Sequence, residues 1–107
     1  MLEKTTEINL LYDYYSPLLT EKQRTLLELY YQEDWSLGEI AKHQGVSRQA
    51  VFEALKRAQS LLYQLEEKLG LLHKETKRQE VLKEIESRLQ HFPSAEQALK
   101  PLLDQWK

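Results

Sequence analysis

The chain has 107 residues, enough for one domain with a single core and a helical appendage. Its hydrophobic fraction of 41% and charged fraction of 30% exclude a membrane protein and a disordered chain alike. The formal net charge is −2 and cysteine is absent, which excludes disulfides, thiolate catalysis and cysteine-ligated zinc and makes a reducing cytoplasm the natural compartment.

Residues 1–7, Met1-Leu2-Glu3-Lys4-Thr5-Thr6-Glu7, hold no apolar signal core, and no run reaches membrane-spanning length, so no membrane insertion is expected. Helix formers dominate and no window alternates with period two, so the expected class is all-α. The first helix is expected over about Thr6 to Tyr15, with Ile8, Leu11, Tyr12 and Tyr15 as its apolar stripe, widened by Leu10 and Tyr14. Ser16-Pro17 ends it, because the residue before proline is pushed out of the helical region. The tyrosines read as core packing with hydroxyls reaching the surface; a stacking platform for single-stranded bases is the alternative, but no basic residues interleave with them.

Thr20-Glu21-Lys22-Gln23 has the form of a capping box and opens a second helix to about Gln32, which buries Leu26, Leu27 and Tyr30, with Leu19 ahead of it. Glu33-Asp34-Trp35 connects, with Trp35 as a plug between helices. Ser36-Leu37-Gly38-Glu39 is a second capping box, for a short helix over Leu37 to Gln44 with Leu37, Ile40 and Ala41 inward. Gly45 stands where the chain must turn left-handed, Val46 is expected to pack between the two helices, and Ser47 caps the next helix. That helix carries Val51, Leu55, Ala58, Leu62, Leu65 and Leu69 at heptad spacing and stops at Gly70. Its length is about 22 residues, or roughly 33 Å. A compact helix-turn-helix needs only the first half, so the second half needs a partner surface of its own.

Beyond Leu71 the segment His73 to Glu80 is highly polar, and Val81, Leu82, Ile85 and Leu89 then give the stripe of an amphipathic helix to about Gln90. His91-Phe92-Pro93 breaks it. Ser94-Ala95-Glu96-Gln97 has the form of a third capping box, for a short last helix carrying Ala98, Leu99, Leu102, Leu103 and Trp106 and kinked or shortened by Pro101. The reading places a helix-turn-helix domain without a wing over residues 1–70. A C-terminal helical extension for packing or dimerisation follows over residues 71–107, and Leu55, Leu62, Leu65, Leu69, Leu82, Ile85 and Leu89 form its seam.

The second helix of a helix-turn-helix lies in the major groove with its N-terminal residues at base edges. With Val51, Ala54, Leu55 and Ala58 inward, the outward residues are Arg48, Gln49, Phe52, Glu53, Lys56 and Arg57. Arg pairs bidentately with guanine, Gln with adenine, and Phe52 could touch a thymine methyl. Ser47 and the adjacent backbone N–H groups suit a phosphate. Within residues 42–57, Lys42, Arg48, Lys56 and Arg57 stand against Glu53, a local +3. Residues 1–70 hold eight Lys or Arg against eleven Asp or Glu, a net −3, so any DNA binding rests on this local patch. The competing reading is an ordinary solvated helix face.

Other chemistry is thin. His43, His73 and His91 are far apart, Glu39 and His43 at four residues' separation read as a surface pair, and the three glycines are isolated. No carboxylate pair stands out. The chain reads as non-enzymatic, with no cofactor and no metal.

The runs Leu19-Thr20-Glu21-Lys22-Gln23-Arg24, Leu26-Leu27-Glu28-Leu29-Tyr30-Tyr31, Ser36-Leu37-Gly38-Glu39-Ile40-Ala41 and Gly45-Val46-Ser47-Arg48-Gln49-Ala50-Val51 resemble region 4 of bacterial sigma factors, which reads the −35 promoter element. The chain departs from that pattern at Ala50 and Phe52, where sigma factors carry further Arg or Gln. The whole chain, with Leu10-Leu11-Tyr12-Asp13-Tyr14-Tyr15 and Asp34-Trp35-Ser36-Leu37-Gly38-Glu39-Ile40-Ala41, more closely resembles the YlxM family of small helix-turn-helix proteins of Gram-positive bacteria. Genes of that family tend to neighbour those of the signal recognition particle. The resemblance implies a bacterial cytoplasmic protein with a regulatory role linked to that pathway. The expected function is therefore a DNA-binding regulator of double-stranded DNA, acting as a homodimer. The alternative is an interaction protein of the signal recognition particle, binding its RNA or its GTPase, and a third possibility is a transcription-machinery adaptor that touches polymerase.

Overall fold

A computed structural model describes residues 2–107, with side chains from Thr5 onward. Of the stretch read above for a signal core, Met1 and the side chains of residues 2–4 lie outside the described residues. The described residues form α1 (Leu2–Tyr15), α2 (Glu21–Leu27), α3 (Leu37–Gln44), α4 (Arg48–Leu69), α5 (Leu71–Leu89) and α6 (Pro93–Trp106), with no strand among them. A 3-10 turn, Ser16–Leu18, follows α1, and a wide turn, Glu28–Gln32, extends α2. The chain divides into two compact units, Met1–Leu72 and His73–Lys107.

The first unit is built on α4. Val51, Leu55, Ala58 and Leu62 are buried against Ile8, Leu11 and Tyr15 of α1, Leu26 and Leu27 of α2, and Ile40 and Ala41 of α3. Full burial of one such leucine stabilises by roughly 1.5–3 kcal/mol. Leu65 packs at the edge of this core, whereas Leu69, expected in the seam, is 44% exposed. It stands one residue before the Gly70 turn, at the rim of the core.

Local chemistry sets the helix boundaries. Thr20 and Ser36 both form complete capping boxes: each hydroxyl accepts from the backbone N–H three residues on, and the Gln23 or Glu39 side chain accepts from the cap's own N–H. Gly45 and Gly70 stop α3 and α4 at φ +69° and +62°, where a Cβ is disfavoured. The N–H of Val46 then bonds the Ala41 carbonyl at 3.0 Å, closing a Schellman turn.

Several expectations need correction. Val46 does not pack between α3 and α4: it is 46% exposed, whereas Ala41 and Val51 of the two helices are buried. α1 begins at Leu2 rather than near Thr6. Leu10 is exposed and does not widen its buried stripe. The second helix changes register at Glu28, so that Glu33 N–H reaches back five residues to the Glu28 carbonyl. This segment is tied by two long-range bonds, Tyr12 Oη donating to the Glu28 carboxylate and Gln59 Nε2 donating to Tyr31 Oη. Trp35 is only partly buried and meets His43 edge-on, ring centroids 5.2 Å apart.

Tyr15 departs most from its expected role. Its hydroxyl is not at the surface; the residue is wholly buried, donating to Glu66 Oε1 at 2.5 Å and accepting from Leu71 N–H at 3.0 Å. Glu66 Oε1 also accepts from Leu72 N–H at 3.1 Å. The two side chains together satisfy first-turn donors of α5, which starts directly after Gly70 with no residue to spare for a cap of its own.

The second unit is a helical hairpin. Leu82 is buried, Ile85 and Leu89 partly so. The Arg78 guanidinium forks onto Glu75 at 2.7 and 2.8 Å and also donates to the Trp106 carbonyl. Lys107 Nζ lies 3.1 Å from Glu86. Ser94 is not an N-cap: α6 begins one residue earlier, at Pro93 after Phe92, with no side-chain cap. Proline's fixed φ and missing N–H fit the first helical position, which pre-empts the hydroxyl. Pro101 does not shorten α6, which runs on to Trp106. The carbonyl that loses its partner belongs to Gln97, an exposed residue whose backbone water can satisfy.

Candidate nucleic-acid interface

The Ser47 cap orients the start of α4. Its Oγ accepts from Ala50 N–H at 3.0 Å, leaving the N–H groups of Arg48 and Gln49 as open first-turn donors at the positive end of a 22-residue helix. No acidic residue stands in that first turn. Lys42, Ser47, Arg48, Gln49, Phe52, Glu53, Lys56 and Arg57 are all exposed, and the turn brings Lys42 of α3 into the same supersecondary unit as the α4 residues.

Two of these side chains are engaged within the free protein. Gln49 Nε2 donates to Glu53 Oε1 at 3.3 Å, so its amide must leave that carboxylate before it reads a base edge. The Lys56 ammonium lies 5.6 Å from the centroid of the Phe52 ring, a cation–π contact worth about 0.5–1 kcal/mol at an exposed site. Phe52 is thus partly covered by the charge beside it.

Glu39 is engaged in the Ser36 capping box. The Ser36 backbone N–H, 2.9 Å from its Oε1, holds the carboxyl below the usual carboxylate range as part of the capping box. Among the described residues no group of three or more His or carboxylate side chains could hold a metal ion, and no helix is long and apolar enough to cross a membrane.

Beside the outward face of α4 runs a groove of about 380 Å³ lined by the first turn of α2, the α3–α4 turn and α4. Lys22 and Arg57 border it without an acidic residue in the lining, over a floor that includes Val46, Ala50 and Ala54. Lys22 is the cation that the sequence reading missed. It is 20 residues from Lys42, but the Thr20 capping box puts it in the first turn of α2, facing the turn of the motif. The small side chains at Ala50 and Ala54 leave this groove open. Of the seam residues, Leu55 and Leu62 are consumed by the core of the first unit, and Leu82 is buried in the second.

Residues 2–102 match the family described as "Putative helix-turn-helix protein, YlxM / p13 like". The chain belongs to this family. A UPF0122 protein of Geobacillus kaustophilus is 46% identical over 103 residues, covering 96% of this chain and 94% of the relative. One from Halalkalibacterium halodurans is 46% identical over 99 residues, covering 92% and 91%. One from Listeria welshimeri is 43% identical over 107 residues, covering 100% and 97%. A YlxM/p13-like chain is thereby expected to carry one helix-turn-helix, and α3, Gly45 and α4 supply it.

Proposed function

We propose that the protein is a regulatory DNA-binding protein of the cytoplasm that inserts the N-terminal half of α4 into the major groove of duplex DNA. The observation that carries this reading is the exposed Arg48, Gln49 and Lys56 face beyond an uncapped-by-charge helix N-terminus, in an otherwise acidic unit. Arg48 and Gln49 meet base edges; Lys42, Arg57 and the Ser47 hydroxyl meet phosphates on either side. A single module of this size gives limited affinity, and a two-fold pair supplies two half-sites one helical turn, roughly 34 Å, or a multiple apart.

A second reading has its own support. Residues 1–70 carry eight basic and eleven acidic side chains, and an acidic surface suits a basic protein partner. In that reading the protein acts in the signal recognition particle pathway by binding the particle's RNA or GTPase. A panel of random duplex DNA, the particle's RNA and its GTPase, titrated with the full chain at low salt, separates the two. The DNA reading expects duplex binding; retained GTPase binding with no duplex binding would overturn it.

A further inference from the structure

We propose that the groove between the first turn of α2 and α4 binds an acidic, amphipathic helical segment of another protein, with carboxylates on Lys22 and Arg57 and apolar side chains over Val46, Ala50 and Ala54. This goes beyond the DNA reading and does not rest on it. The groove holds about 380 Å³ and lies wholly within the first unit. Its floor is apolar: Leu26 and Val51, which line it, are buried, Ala50 is exposed, and Val46 is 46% exposed. An apolar turn residue is thus left uncovered in a concave surface, where a partner's side chain gains by burying it. Ala50, Ala54 and Arg57 follow one another at i, i+4 and i+7 along α4, roughly 10 Å of helix. That length matches about two turns of a partner helix, which presents its own anchors at i and i+4.

Charge complementarity selects the occupant. Among the described residues that line the groove, Lys22 and Arg57 are the charged ones; both are exposed, and neither forms an ion pair among the described residues. Residues 1–70 carry eleven acidic side chains against eight basic, so a lining with two cations and no carboxylate is a local exception. An acidic segment is attracted at this place and repelled by the acidic surface elsewhere on the unit, which directs where it docks. A phosphate backbone would use the two cations and leave Val46 and the alanines without apolar cover, and so would a free anion. A basic or apolar segment would cover Lys22 and Arg57 without partners, at a desolvation cost. A segment that carries carboxylates beside apolar anchors satisfies the whole lining.

The probe is a fluorescein-labelled, helix-forming peptide of about 15 residues with leucines at i and i+4 and glutamates flanking them. It is compared with one twin that carries lysine for glutamate and another that carries serine for leucine. Anisotropy titration of the full chain at low salt is expected to show binding of the glutamate peptide with Kd below about 1 mM, and of both twins at least about tenfold more weakly. Amide shifts of the labelled protein should gather at Lys22, Val46, Ala50 and Ala54. The combined Lys22→Glu and Arg57→Glu variant should reverse the preference, favouring the lysine twin. Val46→Ser should weaken the glutamate peptide at least about threefold, with far-UV circular dichroism unchanged in both variants. No binding at about 1 mM, equal binding of the twins, or shifts gathered outside the groove overturns the proposal. So does a groove whose amides shift with the protein's own concentration in the absence of peptide, which assigns it to a second copy. If Lys22→Glu weakens duplex DNA and leaves the peptide unaffected, the groove serves a phosphate backbone and the proposal falls.

Discussion

Tyr15 does two jobs with one hydroxyl. It fills the centre of the first unit and, with Glu66, closes the open N-terminus of α5. Tyr15→Phe keeps the packing and removes both hydrogen bonds, stranding a backbone donor. It should lower the unfolding free energy by roughly 1–3 kcal/mol, read from the urea midpoint at unchanged slope; an unshifted midpoint would show the bonds to be idle. Tyr12 gives a pH readout. Partial burial, reinforced by its bond to the Glu28 carboxylate, pushes its phenol up to about 12. A folded pKa raised above the ordinary phenol value of about 10 means that the stabilisation is complete below pH 10 and is lost as pH rises toward 12. Burial also pushes Tyr15, Tyr31 and Tyr63 up, so the readout is a difference: the absorbance titration of the folded wild type minus that of Tyr12→Phe should isolate one phenol ionising about two pH units late. Glu75 behaves oppositely: the Arg78 fork and Gln79 hold its carboxyl at about 2, so its contribution is present above the ordinary range of about 4.5 and is lost as pH falls toward 2.

Among the elements, α3 and α4 were legible from sequence because their limits are set by residues adjacent to them. Ser36, Gly45, Ser47 and Gly70 each act on backbone groups within a few positions, and the helix ends fall on them. The wide turn at Glu28–Gln32 was not legible, since its tethers come from Tyr12 and Gln59, at separations of 16 and 28 residues. The role of Tyr15 was hidden for the same reason: its partners lie 51 and 56 residues away. Two local signals competed at α6, and proline at the first helical position prevailed over the serine hydroxyl. In the candidate interface the outward face of α4 followed from its heptad pattern, whereas Lys22 entered only once α2 was placed against the turn. Gly45 offers the cleanest test at this scale. A Cβ there meets nothing within 4 Å, so Gly45→Ala costs only the left-handed backbone, φ +69°. The expected loss is about 1–2 kcal/mol with duplex binding retained by the folded fraction; a larger loss, or binding abolished in the folded protein, would mean the turn is held by more than its backbone.

At the scale of the molecule, charge decides how binding must look. The chain carries −2 overall, so long-range attraction to nucleic acid is weak, and the proposed interaction would depend on few contacts at the start of α4. Four cations, Lys42, Arg48, Lys56 and Arg57, are exposed there. If three or four phosphates are neutralised, log K against log salt should slope at about −3 to −4. Lys42→Ala should flatten that slope by about one and weaken all sequences alike, as a phosphate contact does. The most direct measurement is duplex binding by wild type and Arg48→Ala across a salt series. An Arg48 that meets a guanine edge predicts a loss of about 1–3 kcal/mol on substitution, concentrated in the preferred sequence. Equal affinity of the two proteins for every duplex at every salt concentration would contradict it.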